Sequence, residues 1–216
     1  MFGRKMKIIS VNIGKQYTFQ WKGKTVSTGI FKTPQNTYLQ LNKTKVFGDE
    51  ISDTKNHGGY YKACYIFSKE QYVFWQKLYP ALNLEWGMFG ENLTVENFDE
   101  NQVIVGSTYR VGEALVRISL HREPCYKLGY KFGDLKIIDQ FIKNGYSGTY
   151  LSVLEGGIVR VGDSFKLIDA PANSLTIFQL FQLNYAIIKD PELLKIAASI
   201  DSIPKKKRLW FESLIQ

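Results

Sequence analysis

The chain has 216 residues, 44% of them hydrophobic, with 28 Lys+Arg against 20 Asp+Glu and a formal net charge of +8. That length accommodates one large domain, or a domain with an appendage, and buries enough surface to need no covalent staples. Two cysteines exclude a disulfide framework, and no run of ~18 apolar residues supplies a membrane-spanning helix.

The start, Met1-Phe2-Gly3-Arg4-Lys5-Met6-Lys7, is basic but lacks a following apolar stretch, so no signal peptide is expected and the location is read as cytoplasmic. Lys7 to Ile13 predicts a first strand ending at Gly14. Tyr17 to Trp21 and Lys24 to Thr28 flank a Lys22-Gly23 turn and predict a hairpin. Tyr38 to Leu41 and Lys62 to Phe67 predict further strands, the second burying Cys64. Ser68, with Gln71 three residues on, predicts a capping box. The helix it opens carries Tyr72, Trp75 and Tyr79 and stops at Pro80. Ala114 to Leu120 alternates as a half-buried strand, and Gly133 to Asn144 reads as a short helix ending at Gly145. Gly148 to Leu154 and Ile158 to Ile168 read as a second hairpin about Glu155-Gly156-Gly157. Period-two strands broken by glycine turns predict a mainly β fold, a barrel with helical insertions, over residues 1–170.

The composition shifts at Ala170-Pro171-Ala172-Asn173, and no glycine follows. Ser174 as a cap, Asp190-Pro191 as N-cap and N1, and Ser202-Ile203-Pro204 open three short helices. Residues 171–216 are therefore expected to form a small three-helix C-terminal domain.

Chemistry concentrates in Arg122-Glu123-Pro124-Cys125-Tyr126-Lys127-Leu128-Gly129. Pro124 cannot donate to a strand ladder, so the chain is expected to leave its sheet there and present Cys125 on a loop. Arg122 and Lys127 flank the thiol, and His121 precedes them. Nearby cations stabilise thiolate and can bring a cysteine pKa from ~8.5 into the range ~3.5–7.5. Thiolate is both a nucleophile and a soft metal ligand. A lone cysteine is also a common apolar filler, and the local residues leave both readings open. Two histidines make a four-ligand zinc site a poor fit. The Lys205-Lys206-Lys207-Arg208 run reads as a solvated helix face, and no groove-reading nucleic-acid signature is present.

Further phrases accompany this stretch in order: Thr28-Gly29-Ile30-Phe31-Lys32-Thr33-Pro34, His57-Gly58-Gly59 with Lys62-Ala63, and Trp86-Gly87-Met88-Phe89-Gly90-Glu91-Asn92-Leu93-Thr94. After the cysteine come Phe132-Gly133-Asp134, Gly148-Thr149-Tyr150-Leu151, and Thr176-Ile177 with Leu180-Phe181. In combination they resemble the MOSC domain, in its YiiM-type branch with a three-helix C-terminal extension. The resemblance implies a MOSC-type β-barrel that holds the molybdenum cofactor (molybdopterin), with Cys125 as the catalytic cysteine and molybdenum ligand. Around it the resemblance places His57, Gly58, Gly59, Lys62, Asn92, Arg122, Lys127, Lys55, Thr28 and Lys32 as cofactor-binding residues. Glycines would let backbone N–H groups approach an anion. Lys55, Lys62, Arg122 and Lys127 would neutralise the phosphate and dithiolene, and Asn92 would hydrogen-bond the pterin.

The implied function is a molybdenum-dependent oxidoreductase that detoxifies N-hydroxylated compounds such as hydroxylaminopurine-type base analogues. A separate electron-donor reductase is implied, because no flavin fingerprint or iron–sulfur cysteine set is present. The alternative is a non-catalytic carrier of the molybdenum cofactor; a nucleic-acid binder drawing on the +8 charge is the third reading. Sulfurases of the wider superfamily carry a pyridoxal-phosphate domain for which this chain is too short, and no lysine context argues for pyridoxal phosphate. Neither nucleic acid nor a membrane is expected as partner, and monomer and homodimer both stay open.

Overall fold

A computed structural model describes residues 5–52 and 58–215. The apolar alternation near the start forms β1 (Lys7–Gly14), which buries Ile8 and Val11 completely. It is followed by β2 (Tyr17–Trp21) and β3 (Lys24–Thr28), the hairpin read from the sequence. Its turn residues Lys22 and Gly23 have φ of 49° and 75°, the left-handed pair that a two-residue hairpin requires. β4 (Lys32–Pro34), β5 (Tyr38–Leu41), a 3-10 turn at Tyr60–Lys62 and β6 (Cys64–Ser68) come next. Helix α1 (Lys69–Leu78) then leads to β7 (Leu93–Glu96), β8 (Thr108–Val111) and β9 (Ala114–His121).

Two short helices, α2 (Tyr126–Phe132) and α3 (Lys136–Asn144), separate β9 from β10 (Thr149–Glu155). Strands β11 (Gly157–Arg160) and β12 (Lys166–Asp169) complete the sheets. The C-terminal helices are α4 (Ile177–Tyr185), α5 (Pro191–Ser199) and α6 (Lys205–Glu212). No helix among the described residues is long and apolar enough to cross a membrane.

The main sheet has eight strands in the order β12-β8-β9-β10-β6-β7-β1-β4, antiparallel except for the β6–β7 pair. This corrects the expected barrel: the sheet is open, with β12 and β4 at its edges. The reason lies in β1, whose outer side is divided. Its C-terminal residues Asn12–Gly14 pair with β4, while Ile8 exchanges backbone hydrogen bonds with Asp163 and Gly162 at 2.9 and 2.8 Å. A single bridge, Lys7 to Ser164, stands where closure would need a ladder.

Other sequence readings also shift. β11 pairs with β5 and not with β10, so the second hairpin does not form. Gly133, with φ of 68°, caps the C-terminus of α2 and does not open the next helix, which starts at Lys136. Ser68 is an N-cap residue, but its hydroxyl bonds Glu70 and not the backbone, so the expected capping box is absent. A complete capping box forms instead at Thr176 with Gln179, two residues beyond Ser174. Asp190 caps α5 through Glu192 and Leu193, with Pro191 at N1, as read. Ile177, Leu180 and Phe181 of α4, Leu194 and Ala197 of α5 and Phe211 of α6 join the same buried cluster as the sheet. His121 at the end of β9 meets Phe181 edge-on at 5.3 Å.

Candidate functional site

Cys125 closes the short connection between β9, which ends at His121, and α2, which starts at Tyr126. Its backbone is extended (φ −138°, ψ 171°) and it stands at the N-cap of α2, with a free, half-buried thiol. The chain has left its sheet before Pro124, as read from the sequence, and the cysteine is the last residue of a short loop between a strand and a helix. Arg122, three residues earlier, is buried at 6% exposure, its guanidinium 5.0 Å from the centre of the Tyr65 ring. Among the described residues its Nη1 has no hydrogen-bond partner. A buried, always-charged donor left unpartnered is costly unless something else completes it.

One cavity gathers these groups. It encloses ≈ 620 Å³, open solvent at its mouth included, and Thr28, Lys32, Lys62, Asn92, Arg122, Cys125 and Lys127 of the sequence-derived set all line it. Gly58 and Gly59 are not among its lining residues, and Lys55 and His57 lie outside the described residues. Gly59 has φ of 86° and precedes the 3-10 turn that carries Lys62 to the cavity. The α2 helix and the hairpin are tied by rings: Phe19 stacks on Tyr130 at 3.8 Å and Trp21 on Tyr126 at 5.1 Å. Lys127 Nζ donates to the Ser27 carbonyl at 3.1 Å, which binds the helix to the hairpin beside Thr28.

The charges of the lining are unevenly engaged. Lys32 forms a buried ion pair with Asp49, and Asp49 also accepts from Gly14 N–H at 2.8 Å and Asn92 Nδ2 at 3.0 Å. Asn92 is likewise committed. Its Oδ1 accepts from Tyr65 N–H at 3.2 Å, and its Nδ2 also donates to the Asn12 carbonyl at 3.2 Å. Thus Lys32 and Asn92 line the cavity chiefly as braces between strands, with their polar atoms already partnered. Glu50 accepts from Gln16 N–H at 2.8 Å and lies 3.4 Å from Lys15, so its charge is engaged on the far side. The lining carries four cationic side chains, Lys32, Lys62, Arg122 and Lys127, against the carboxylates Asp49 and Glu50.

Tyr65 and Tyr150 are paired across β6 and β10 with their rings 5.2 Å apart, and both line the cavity. Burial pushes both phenols up, so each stays protonated. Cys64 is buried as expected, and burial pushes its thiol up too. Gly90, with φ of 79°, lets the Gly87–Asn92 turn reach the cavity: a Cβ there would meet Ile30 Cγ1 at 2.8 Å. Glu91 is buried and accepts from Gly87 N–H, Phe89 N–H, Thr94 Oγ1 and Tyr72 Oη, which fixes that turn. Asp49, Glu50, Ile51, Tyr65 and Tyr150 were not read from the sequence as site residues. The period-two alternation places Tyr65 on the same face as Ala63, a signal for one tyrosine, whereas nothing around Asp49 marks it.

A family profile for the MOSC domain matches residues 53–166. The protein YflK of Bacillus subtilis (strain 168) is 35% identical over 181 residues, covering 84% of this chain and 81% of that protein. A protein named "Reductase" from Gibberella moniliformis is 28% identical over 152 residues. That match takes in 69% of this chain but only 27% of the fungal protein. The crystal structure of YiiM from Geobacillus stearothermophilus superposes with a TM-score of 0.81 at 27% identity, covering 98% of this chain and 100% of that one.

Proposed function

Because this chain belongs to the MOSC domain family, we propose that it is a molybdenum-cofactor-binding oxidoreductase that reduces N-hydroxylated compounds, with Cys125 as molybdenum ligand. The observation that carries this reading is the free Cys125 thiol on the wall of the cationic cavity that Arg122 lines with an unpartnered Nη1. A thiolate is a soft ligand suited to such a metal, and the cations suit a cofactor with dithiolene and phosphate charges. Residues 1–170 would then hold the cofactor, and residues 171–216 would form an appended helical unit.

When bound, the cofactor supplies the two-electron couple for converting R–NHOH to R–NH2. The conversion takes two electrons and two protons and releases water; the electrons come from a separate reductase. Arg122 and Lys127 would balance the anionic ligand, and the apolar flank of Ile30, Ile51 and Ala63 would keep water from that wall. Tyr65 and Tyr150, held protonated by burial, remain neutral there and add no competing negative charge.

The test is metal analysis of protein made in a cofactor-competent host, with reduction of a hydroxylaminopurine by a supplied reductant. Cys125→Ala is expected to lose both molybdenum and turnover. Full metal and activity in that variant would refute the assignment. Metal bound in a Cys125-dependent way without turnover would favour a carrier.

A further inference from the structure

Tyr65 and Tyr150 are partners in register on β6 and β10, and both line the cavity, but their hydroxyls are used differently. Tyr65 Oη donates to the Ser147 carbonyl at 2.7 Å, so its polar end is committed to the fold. Tyr150 is 8% exposed, and its backbone carbonyl accepts from Ser119 Oγ at 3.0 Å. Among the described residues its phenol hydroxyl makes no hydrogen bond. A tyrosine buried to this degree ordinarily finds a partner for its hydroxyl; with none, phenylalanine would pack as well.

A second lining residue has a donor to spare. Arg122 Nη1 is buried and unpartnered among the described residues. The Tyr65 ring touches both residues: its centre is 5.0 Å from the Arg122 guanidinium and 5.2 Å from the centre of the Tyr150 ring. Lys62 Nζ, 5.4 Å from the centre of the Tyr150 ring, packs that ring further. The cavity therefore has two unused donors around one committed tyrosine, one on a cation and one on a phenol. A guanidinium only donates, and a phenol is protonated at neutral pH. The ligand that completes such a pair offers acceptor oxygens and negative charge, which describes an oxyanion.

We propose that Tyr150 is a binding residue of this cavity: its hydroxyl, with Arg122 Nη1, donates to the oxygens of a phosphate-like oxyanion. The proposal rests on the reading above of this cavity as the ligand site and adds a residue to it. Two sources share the chemistry, the phosphate of a bound cofactor and a free inorganic oxyanion. Tyr65 is the internal control, because the same side chain on the neighbouring strand spends its hydroxyl on Ser147.

Inorganic phosphate is titrated calorimetrically into cofactor-free protein at low ionic strength, with a thermal melt of each variant alongside. Tyr150→Phe is expected to weaken phosphate binding about tenfold, the loss of one hydrogen bond to a charged acceptor, and to melt within about 1 °C of the parent. Tyr65→Phe is expected to do the reverse: affinity within about twofold of the parent, and a Tm lower by about 2–4 °C. Parent-like affinity in Tyr150→Phe overturns the proposal, as does a melt as low as that of Tyr65→Phe or a parent that binds no phosphate. Molybdenum content after expression in a cofactor-competent host separates the sources. A Tyr150→Phe protein depleted of molybdenum assigns the oxyanion to the cofactor; full molybdenum beside the tenfold loss assigns it to a free anion. Unchanged phosphate affinity beside Cys125-dependent molybdenum refutes only the role of Tyr150. The tenfold loss beside molybdenum that does not depend on Cys125 refutes only the enzyme reading.

Discussion

Replacing Lys32 with methionine tests whether the ion pair beneath the cavity is structural. The Asp49 side chain is 2% exposed and that of Lys32 7%, so removing the ammonium leaves a carboxylate buried without its counter-charge. Breaking a buried pair in this way costs about 3–5 kcal/mol. The Gly14 N–H and Asn92 Nδ2 bonds to Asp49 survive and offset part of the loss, which places the expectation at about 3 kcal/mol. In a chain of this size that lowers Tm by about 6–12 °C. Urea unfolding of Lys32→Met, Asp49→Asn and the double variant supplies the assay. In the double variant the uncompensated charge is gone, and it should be more stable than the sum of the single losses implies by at least ~1.5 kcal/mol. A cost below ~1 kcal/mol for Lys32→Met, or strictly additive losses, would show that the pair does not hold this wall together.

Two further substitutions probe the same neighbourhood. A Cβ on Gly29 would fall 1.7 Å from the Glu50 carbonyl oxygen, so Gly29→Ala must displace backbone and should cost about 3 kcal/mol; a melt within 1 °C of the parent would refute that contact. Lys131 donates to the Ile30 and Gly87 carbonyls at 3.0 and 2.8 Å, and burial lowers its pKa from 10.5 to about 7. Between those values the unfolded chain binds more protons than the folded one, so this group's contribution to stability rises with pH. Relative to Lys131→Met, the parent should therefore gain up to about 3 kcal/mol between pH 7 and 9.5. A stability difference that does not change with pH would refute it.

The strands and the C-terminal helices were legible because their signals are local. Ile9, Val11 and Ile13 alternate with Ser10 and Asn12 along β1, and Asp190-Pro191 is a sufficient helix start on its own. The barrel was misread because closure is not local: it depends on how far the 162–165 segment runs beside β1, and among the described residues the contact there is one bridge with its few flanking hydrogen bonds. The β10–β11 hairpin failed for a related reason, since β5 outcompetes β10 for β11. At the site, Cys125, Arg122 and Lys127 stood out because cations flank a thiol in sequence. Asp49 did not, because its partners Gly14, Lys32 and Asn92 come from three separate segments. Asn92 was found as a position, but its bonds to Tyr65 and Asn12 become visible only when β6, β7 and β1 are side by side.

Among the described residues the β2–β3 hairpin belongs to no larger sheet, and two strands alone are marginally stable in water. Its order is borrowed from α2, through the Phe19–Tyr130 and Trp21–Tyr126 stacks. Amide hydrogen exchange in the hairpin therefore reports how firmly α2 is docked, and Cys125 is the N-cap of α2. Slowed exchange at Phe19 and Val26 on adding a ligand would be a remote gauge of events at the thiol, measurable without any probe placed in the cavity.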